Sequence, residues 1–254
     1  MKFRIAVILL SGMLVPTLAL AASDTNSVQL EAGLSRDYLN KGYSEWRSTY
    51  VEAENKMADR QVVYGMLRET RRFELEDTEL QAGYYHPLAK QWTSLFEGSA
   101  SSTHYVLPRY SVLGQLQYAF DDGWGVHLGV RHSEYDAALT NLGIFTLERY
   151  WGNYRAACTL YSGHLAAAGS TVSQHLQLSR YYAEHSWLGI GFSSGKELEN
   201  IGSGGVLQTD VQSFIINGRH WISNDWAVSY EAAWHQQGDY YTRNGARLGL
   251  RRQF

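Results

Sequence analysis

The sequence predicts an all-β fold, a closed antiparallel transmembrane β-barrel of about 14 strands, with 12 as the alternative count. Three observations lead there. Apolar and polar residues alternate along segments of roughly ten residues, the length a tilted strand needs to cross a bilayer. Tyrosine and tryptophan gather near segment ends, as they do at membrane–water interfaces. Of the three prolines, Pro16 lies in the N-terminal segment while Pro87 and Pro108 fall in predicted connections, so sheet pairing is left intact.

The first 21 residues stand apart. "MKFRIAVILLSGMLVPTLALAAS" has basic Lys2 and Arg4, an apolar stretch to Leu20, and small residues at Ala19 and Ala21. That layout predicts a secretory signal peptide over 1–21, cleaved after Ala21, with the barrel over 22–254. Ser11, Gly12 and Pro16 interrupt the stretch and argue against a membrane anchor. A net charge of −3 gives no basic surface for nucleic acid. Cys158 is the sole cysteine, so no intramolecular disulfide forms.

Beyond residue 22 no apolar run approaches the ~18 residues of a transmembrane helix. Strands are predicted over 27–39, 44–56, 61–71, 76–86, 91–100, 109–120, 124–135, 140–151, 154–165, 170–182, 186–196, 206–220, 225–237 and 242–254. "VQLEAGLSRDY" opposes Val28, Leu30, Ala32 and Leu34 to Gln29, Glu31, Gly33 and Ser35. "WAVSYEAAWHQQ" opposes Trp226, Val228, Tyr230 and Ala232 to Ser229, Glu231, Ala233 and His235. The second, third, eighth and twelfth segments alternate poorly, which leaves the count open by two. "ADR", "PLAK", "DDG", "GN", "AEH" and "SND" are tight turns, and the intervening connections, such as "SSTHYVLP" and "ELENIGSGG", are expected to run longer.

A soluble β-sandwich alternates too, with its apolar face turned inward. The aromatic residues near segment ends (Trp92, Trp124, Tyr135, Tyr150, Trp151, Tyr181, Tyr182, Trp226, Trp234) and the full charges in the polar series favour a barrel with apolar residues outward. The segment "LPRYSVLGQLQYAFDDGWGVHLGVRHSEY", Leu107 to Tyr135, and the terminal "LGLRRQF" resemble bacterial outer-membrane β-barrels of the YaiO family. The resemblance spans the mature chain and implies an outer-membrane location. It also implies a pore, transport or assembly role, with exopolysaccharide export among the ideas attached to the family. Phe254, with Leu250 and Leu248 in its series, resembles the signal read by the barrel insertion machinery. Arg252 departs from that pattern, at a cost of roughly 0–1 kcal/mol near the interface against ~2–4 kcal/mol at the midplane.

The sequence carries little that suggests catalysis, and no enzyme activity, cofactor or metal site is expected. His132 and Ser133 point to opposite faces, as strand neighbours must. Ser162/His164 and Ser173/His175 share faces without a third member, leaving a lipid A or phospholipid hydrolase as the competing class and a non-conducting surface anchor as a third. The nine histidines are scattered without metal-ligand spacing. "RETRRFELEDTE" reads as a solvated hairpin tip or a contact for lipopolysaccharide phosphates. The inner series is the stronger candidate: Glu31, Glu79, Gln81, Gln115, Gln117, His127, Arg131, Glu231, His235, Arg247 and Arg251. Mixed charges and amides there suit polar or saccharide solutes without strong ion selectivity, and any occlusion is expected from these side chains themselves. Outer-membrane lipid and lipopolysaccharide are the expected surroundings.

Overall fold

A computed structural model describes residues 26–136, 138–165, 169–183, 185–200 and 206–254. The predicted signal peptide lies outside the described residues. These residues form fourteen strands: β1 (Ser27–Leu39), β2 (Trp46–Ala58), β3 (Gln61–Arg72), β4 (Leu75–Pro87), β5 (Trp92–Ser101), β6 (Tyr110–Ala119), β7 (Trp124–Tyr135), β8 (Ala138–Trp151), β9 (Tyr154–Leu165), β10 (Gly169–Tyr182), β11 (Ser186–Asn200), β12 (Val206–Trp221), β13 (Trp226–Gln237) and β14 (Tyr241–Gln253). Each pairs antiparallel with its sequence neighbour, and β14 pairs with β1 to close the barrel.

The register fixes the barrel's girth. Followed once round the sheet from Ala32, it returns to β1 about 14 residues away. With ~4.8 Å between strands and ~3.4 Å per residue, that stagger sets a tilt of about 35° and a backbone radius of about 13 Å. Side chains from opposite walls can therefore fill much of the interior.

The alternation is inverted relative to a water-soluble protein. On β4, Glu79 is 1% exposed while Leu80 beside it is 63% exposed. Leu34, Val51, Leu128, Val172 and Leu248 are likewise turned outward. An outer belt of this composition is stable only against hydrocarbon, and closure leaves no sheet edge unpaired there. The four poorly alternating strands now have a cause. Trp46 (β2), Val62 and Tyr64 (β3), Ile144 (β8) and Val211 (β12) put apolar groups on the inner wall. Val62, Tyr64, Tyr85, Leu95 and Leu113 pack into one internal cluster with Ile144 against it.

Both ends depart from expectation. At the end that carries the turns after β2, β4, β6, β8, β10 and β12, the outward rings form a girdle. Trp92 meets Tyr118 at 4.8 Å, Tyr118 meets Phe120 at 4.6 Å, and Trp151 stacks on Tyr154 at 6.0 Å. Arg252 lies outward in this girdle, its guanidinium 5.3 Å from the Trp226 ring and 4.7 Å from that of Phe254. Tyr135, Tyr150 and Tyr181, expected in the girdle, sit instead on the inner-facing positions of β7, β8 and β10. Proximity to a strand end does not set which face a residue takes; parity does. At the opposite, loop end, the tip between β3 and β4 shortens to two residues. Phe73 and Glu74 both adopt positive φ, 52° and 65°, the backbone of a tight hairpin turn usually given to Gly or Asn.

Leu128 lies midway up the outer wall and Ile222 at the girdle. Leu128→Arg is expected to cost about 2–4 kcal/mol and Ile222→Arg about 0–1 kcal/mol. Urea-dependent folding into lipid vesicles measures both, and equal costs would contradict the placement of the apolar belt.

Candidate functional site in the barrel interior

The closing seam carries the densest ionic cluster. β1, β2, β13 and β14 present Glu31, Tyr50, Ser229 and Arg251 on the inner wall at neighbouring register positions. Glu31 accepts hydrogen bonds from Tyr50 Oη, Ser229 Oγ and Arg251 Nε, each at 2.6 Å. Arg251 also reaches Glu52 at 2.5 Å, Gln29 at 2.8 Å and Glu54 at 3.5 Å. Arg247 donates to Tyr50 Oη at 3.0 Å and lies 4.2 Å above its ring. Arg219 and Arg247 stand 3.9 and 4.0 Å from Glu31, so three arginines offset Glu31, Glu52 and Glu54. Glycine makes the geometry possible. A Cβ on Gly33 would stand 2.4 Å from Tyr50 Oη, and one on Gly249 would stand 2.6 Å from it.

Two further networks cross the remaining wall. Glu97 accepts from Tyr64 Oη and, at 2.8 Å, from Arg131, which also reaches Ser111 at 3.4 Å. Glu148 lies 2.7 Å from Arg155 Nε and 3.1 Å from His127 Nε2, and Arg155 donates onward to Gln177 at 3.0 Å. Buried charges persist only when paired in this way. Of the other predicted residues, Glu79 pairs with Arg68 at 2.5 Å, Gln117 donates to Gln115 at 2.8 Å, and His235 meets Gln237 at 2.8 Å. Glu231 sits opposite Arg247 in the β13–β14 register, and Gln81 is buried on β4.

Sequence reading missed Tyr50, Glu52, Glu54, Glu97, Glu148, Arg155 and Arg219. Glu148 and Arg155 did leave a trace, as opposite charges flanking the two-residue "GN" turn. Their register pairs them diagonally, one face-repeat apart. Phe254, Leu250 and Leu248 all lie exposed on the outer face. Ser162 and His164 point outward, and His164 meets Ser170 at 3.1 Å. His175 faces inward and contacts Ser193 at 2.7 Å.

The mouth at the loop end revises two expectations. Asp77, assigned to a solvated hairpin tip, is fully buried on the inner wall. It accepts the backbone N–H groups of Tyr105, Val106 and Leu107 at 3.0, 2.7 and 2.8 Å. The loop over 102–109 is thereby drawn into the opening, with Val106 and Leu107 buried. Occlusion therefore involves a loop as well as wall side chains. Beside it Trp46 is enclosed by Phe73 and Tyr241 edge-on at 5.2 and 5.8 Å, with Arg72 and Arg243 4.8 and 5.0 Å from its ring. Packing on Trp46 is what holds Phe73 in a backbone conformation costing about 1–2 kcal/mol.

Arg251→Met leaves Glu31 buried beside fewer cations and is expected to cost about 3–5 kcal/mol, part of it recovered in Glu31→Gln/Arg251→Met. Urea midpoints read by heat-modifiable gel mobility measure this, and a double variant no better than the single one would contradict the pairing.

Residues 27–200 match the YaiO membrane β-barrel domain. Comparison with curated proteins found no match. Among solved structures, the chain is similar to a bacterial polysaccharide outer membrane secretin (TM-score 0.57, 9% identity, covering 89% of this chain and 98% of that one). Salmonella typhi OmpF in complex with daunomycin gives a TM-score of 0.52 at 10% identity, with 89% and 97% covered. An anion-selective porin from Comamonas acidovorans gives 0.50 at 10%, with 91% and 100% covered. At such identities the likeness is one of fold. The chain belongs to the YaiO family of outer-membrane β-barrels.

Proposed function

We propose that this barrel is a narrow outer-membrane passage for small polar solutes, closed at its outer mouth in the conformation described. One observation carries the reading. The inward-facing side chains of Arg219 and Arg247 are 27% and 31% exposed. Inside a closed barrel, an inward cation exposed to this degree borders open lumenal space, where its charge is best accommodated by water. Above that level, the loop held by Asp77 and the Trp46 cluster cover the opening. Hydroxyl-rich solutes suit the wall best, because its inner series mixes amide, hydroxyl and charged side chains, with Tyr161 half-buried among them. The opposed charges give little reason for strong ion selectivity. Lipid, lipopolysaccharide and the insertion machinery that reads Phe254 are the partners this role requires, and no catalytic step is assigned.

In planar bilayers the native chain is expected to show small, infrequent conductance steps. Asp77→Ala, which frees the 102–109 loop, and Trp46→Ala should each raise the open fraction several-fold. Closed traces from all three proteins over a range of voltages would overturn the passage. Swelling of liposomes in neutral sugars, compared with salts, tests the solute class. The hydrolase alternative predicts that Ser173→Ala changes the outer-membrane lipid profile, and an unchanged profile counts against it.

A further inference from the structure

The outer wall is not uniformly knobbed. Along β9 the outward residues at two successive levels are small, Ala156 and Cys158. Their neighbours are large: Leu147 on β8, Leu176 on β10 and Phe192 on β11 rise on either side. The result is a groove of about 460 Å³, almost wholly apolar, with lining residues from β7 to β12. Its short-turn end, the periplasmic one in outer-membrane barrels, is bordered by Trp124 and Trp151 of the girdle.

Two cations lie at that level, Arg149 in the lining and Arg180 just beyond it. Arg149 on β8 points outward with its guanidinium 4.9 Å from the Trp124 ring, and Arg180 on β10 is exposed opposite Tyr154. Among the described residues neither makes an ion pair with an acid, unlike the arginines of the inner wall. The register puts their backbones about 12 Å apart across two strand spacings, so one anion between them meets both guanidinium groups once Arg149 swings off the Trp124 ring toward β10. An arginine on a lipid-facing wall is costly unless it reaches the interface and finds a counter-charge.

We propose that this groove binds one glycerophospholipid of the periplasmic leaflet, an acyl chain lying over Ala156 and Cys158 and the phosphate held between Arg149 and Arg180. The solvent here is itself hydrocarbon, so apolar burial alone selects nothing. Selection comes from the shape of the floor, which lets a chain lie flush with the wall, and from charge at the level where the headgroup must sit. Lipopolysaccharide phosphates occupy the opposite leaflet and do not reach these arginines. The site is independent of whether solute passes through the lumen.

The test uses the full chain in detergent with palmitoyl-oleoyl phosphatidylglycerol added, read by native mass spectrometry. The native protein is expected to retain one lipid per chain as detergent is increased. Arg149→Gln/Arg180→Gln should lose at least ten-fold of that bound fraction, and so should Cys158→Trp, which fills the floor. Val51→Trp, the same bulk on the far outer wall, should keep it. Heat-modifiable mobility checks that each variant is folded, and the arginine pair decides the matter if Cys158→Trp does not fold. No retained lipid on the native chain would overturn the site, as would equal retention by the arginine variant. A shift from dimer to monomer with Cys158→Trp, without bound lipid, would also overturn it by marking the groove as a contact between copies.

Discussion

Every backbone amide and carbonyl that faces hydrocarbon must find its partner within the sheet, and the β1–β14 seam is where this barrel meets that demand. The register there aligns Ala32 with Leu250 and Glu31 with Arg251. One contact level therefore joins two outward apolar residues, and the adjacent level joins two buried opposite charges. A slip of one residue would turn one of the two charges into lipid and leave the other buried without its partner. The ion cluster around Glu31 is best understood as a register lock. Its net stabilisation is modest after desolvation, but breaking it by halves is expensive. Gly33 and Gly249 serve the same lock by letting the Tyr50 ring lie flat across the seam.

The interior follows from girth. A radius of about 13 Å is too wide for opposite side chains to interdigitate everywhere and too narrow to stay empty. The wall resolves this unevenly. An apolar cluster from β3 to β6 fills one side, while the side lined by β12 to β14 carries the partly exposed Arg219 and Arg247. Two unlike devices sit at the mouth, a loop fixed by three amide hydrogen bonds to one carboxylate and an aromatic cluster around Trp46. The first can be released by removing a single side chain; the second rests on packing shared among three loops.

Much of the fold was legible in the sequence because strand parity is local. Alternation in "VQLEAGLSRDY" and "WAVSYEAAWHQQ" identifies the inner and outer residues of β1 and β13 without any knowledge of their partners. Strands such as β3 blurred the pattern because Val62 and Tyr64 face an apolar patch inside, where a polar wall was expected. The candidate site was legible residue by residue but not as a constellation. Glu31, Arg247 and Arg251 were identifiable as inner residues, whereas their union with Glu52, Glu54 and Arg219 depends on a stagger that no single strand encodes.

The sequence by itself determined that the chain crosses about fourteen times, roughly where it turns and, on the cleanly alternating strands, which side meets lipid, since these follow from a two-residue period and short-range turn chemistry. Only the tertiary structure decided which charges pair, that Asp77 draws a loop into the mouth, and that Tyr135, Tyr150 and Tyr181 face inward. Those outcomes depend on shear, closure and loop path, which bring together residues such as Glu31 and Arg251, 220 positions apart in the chain.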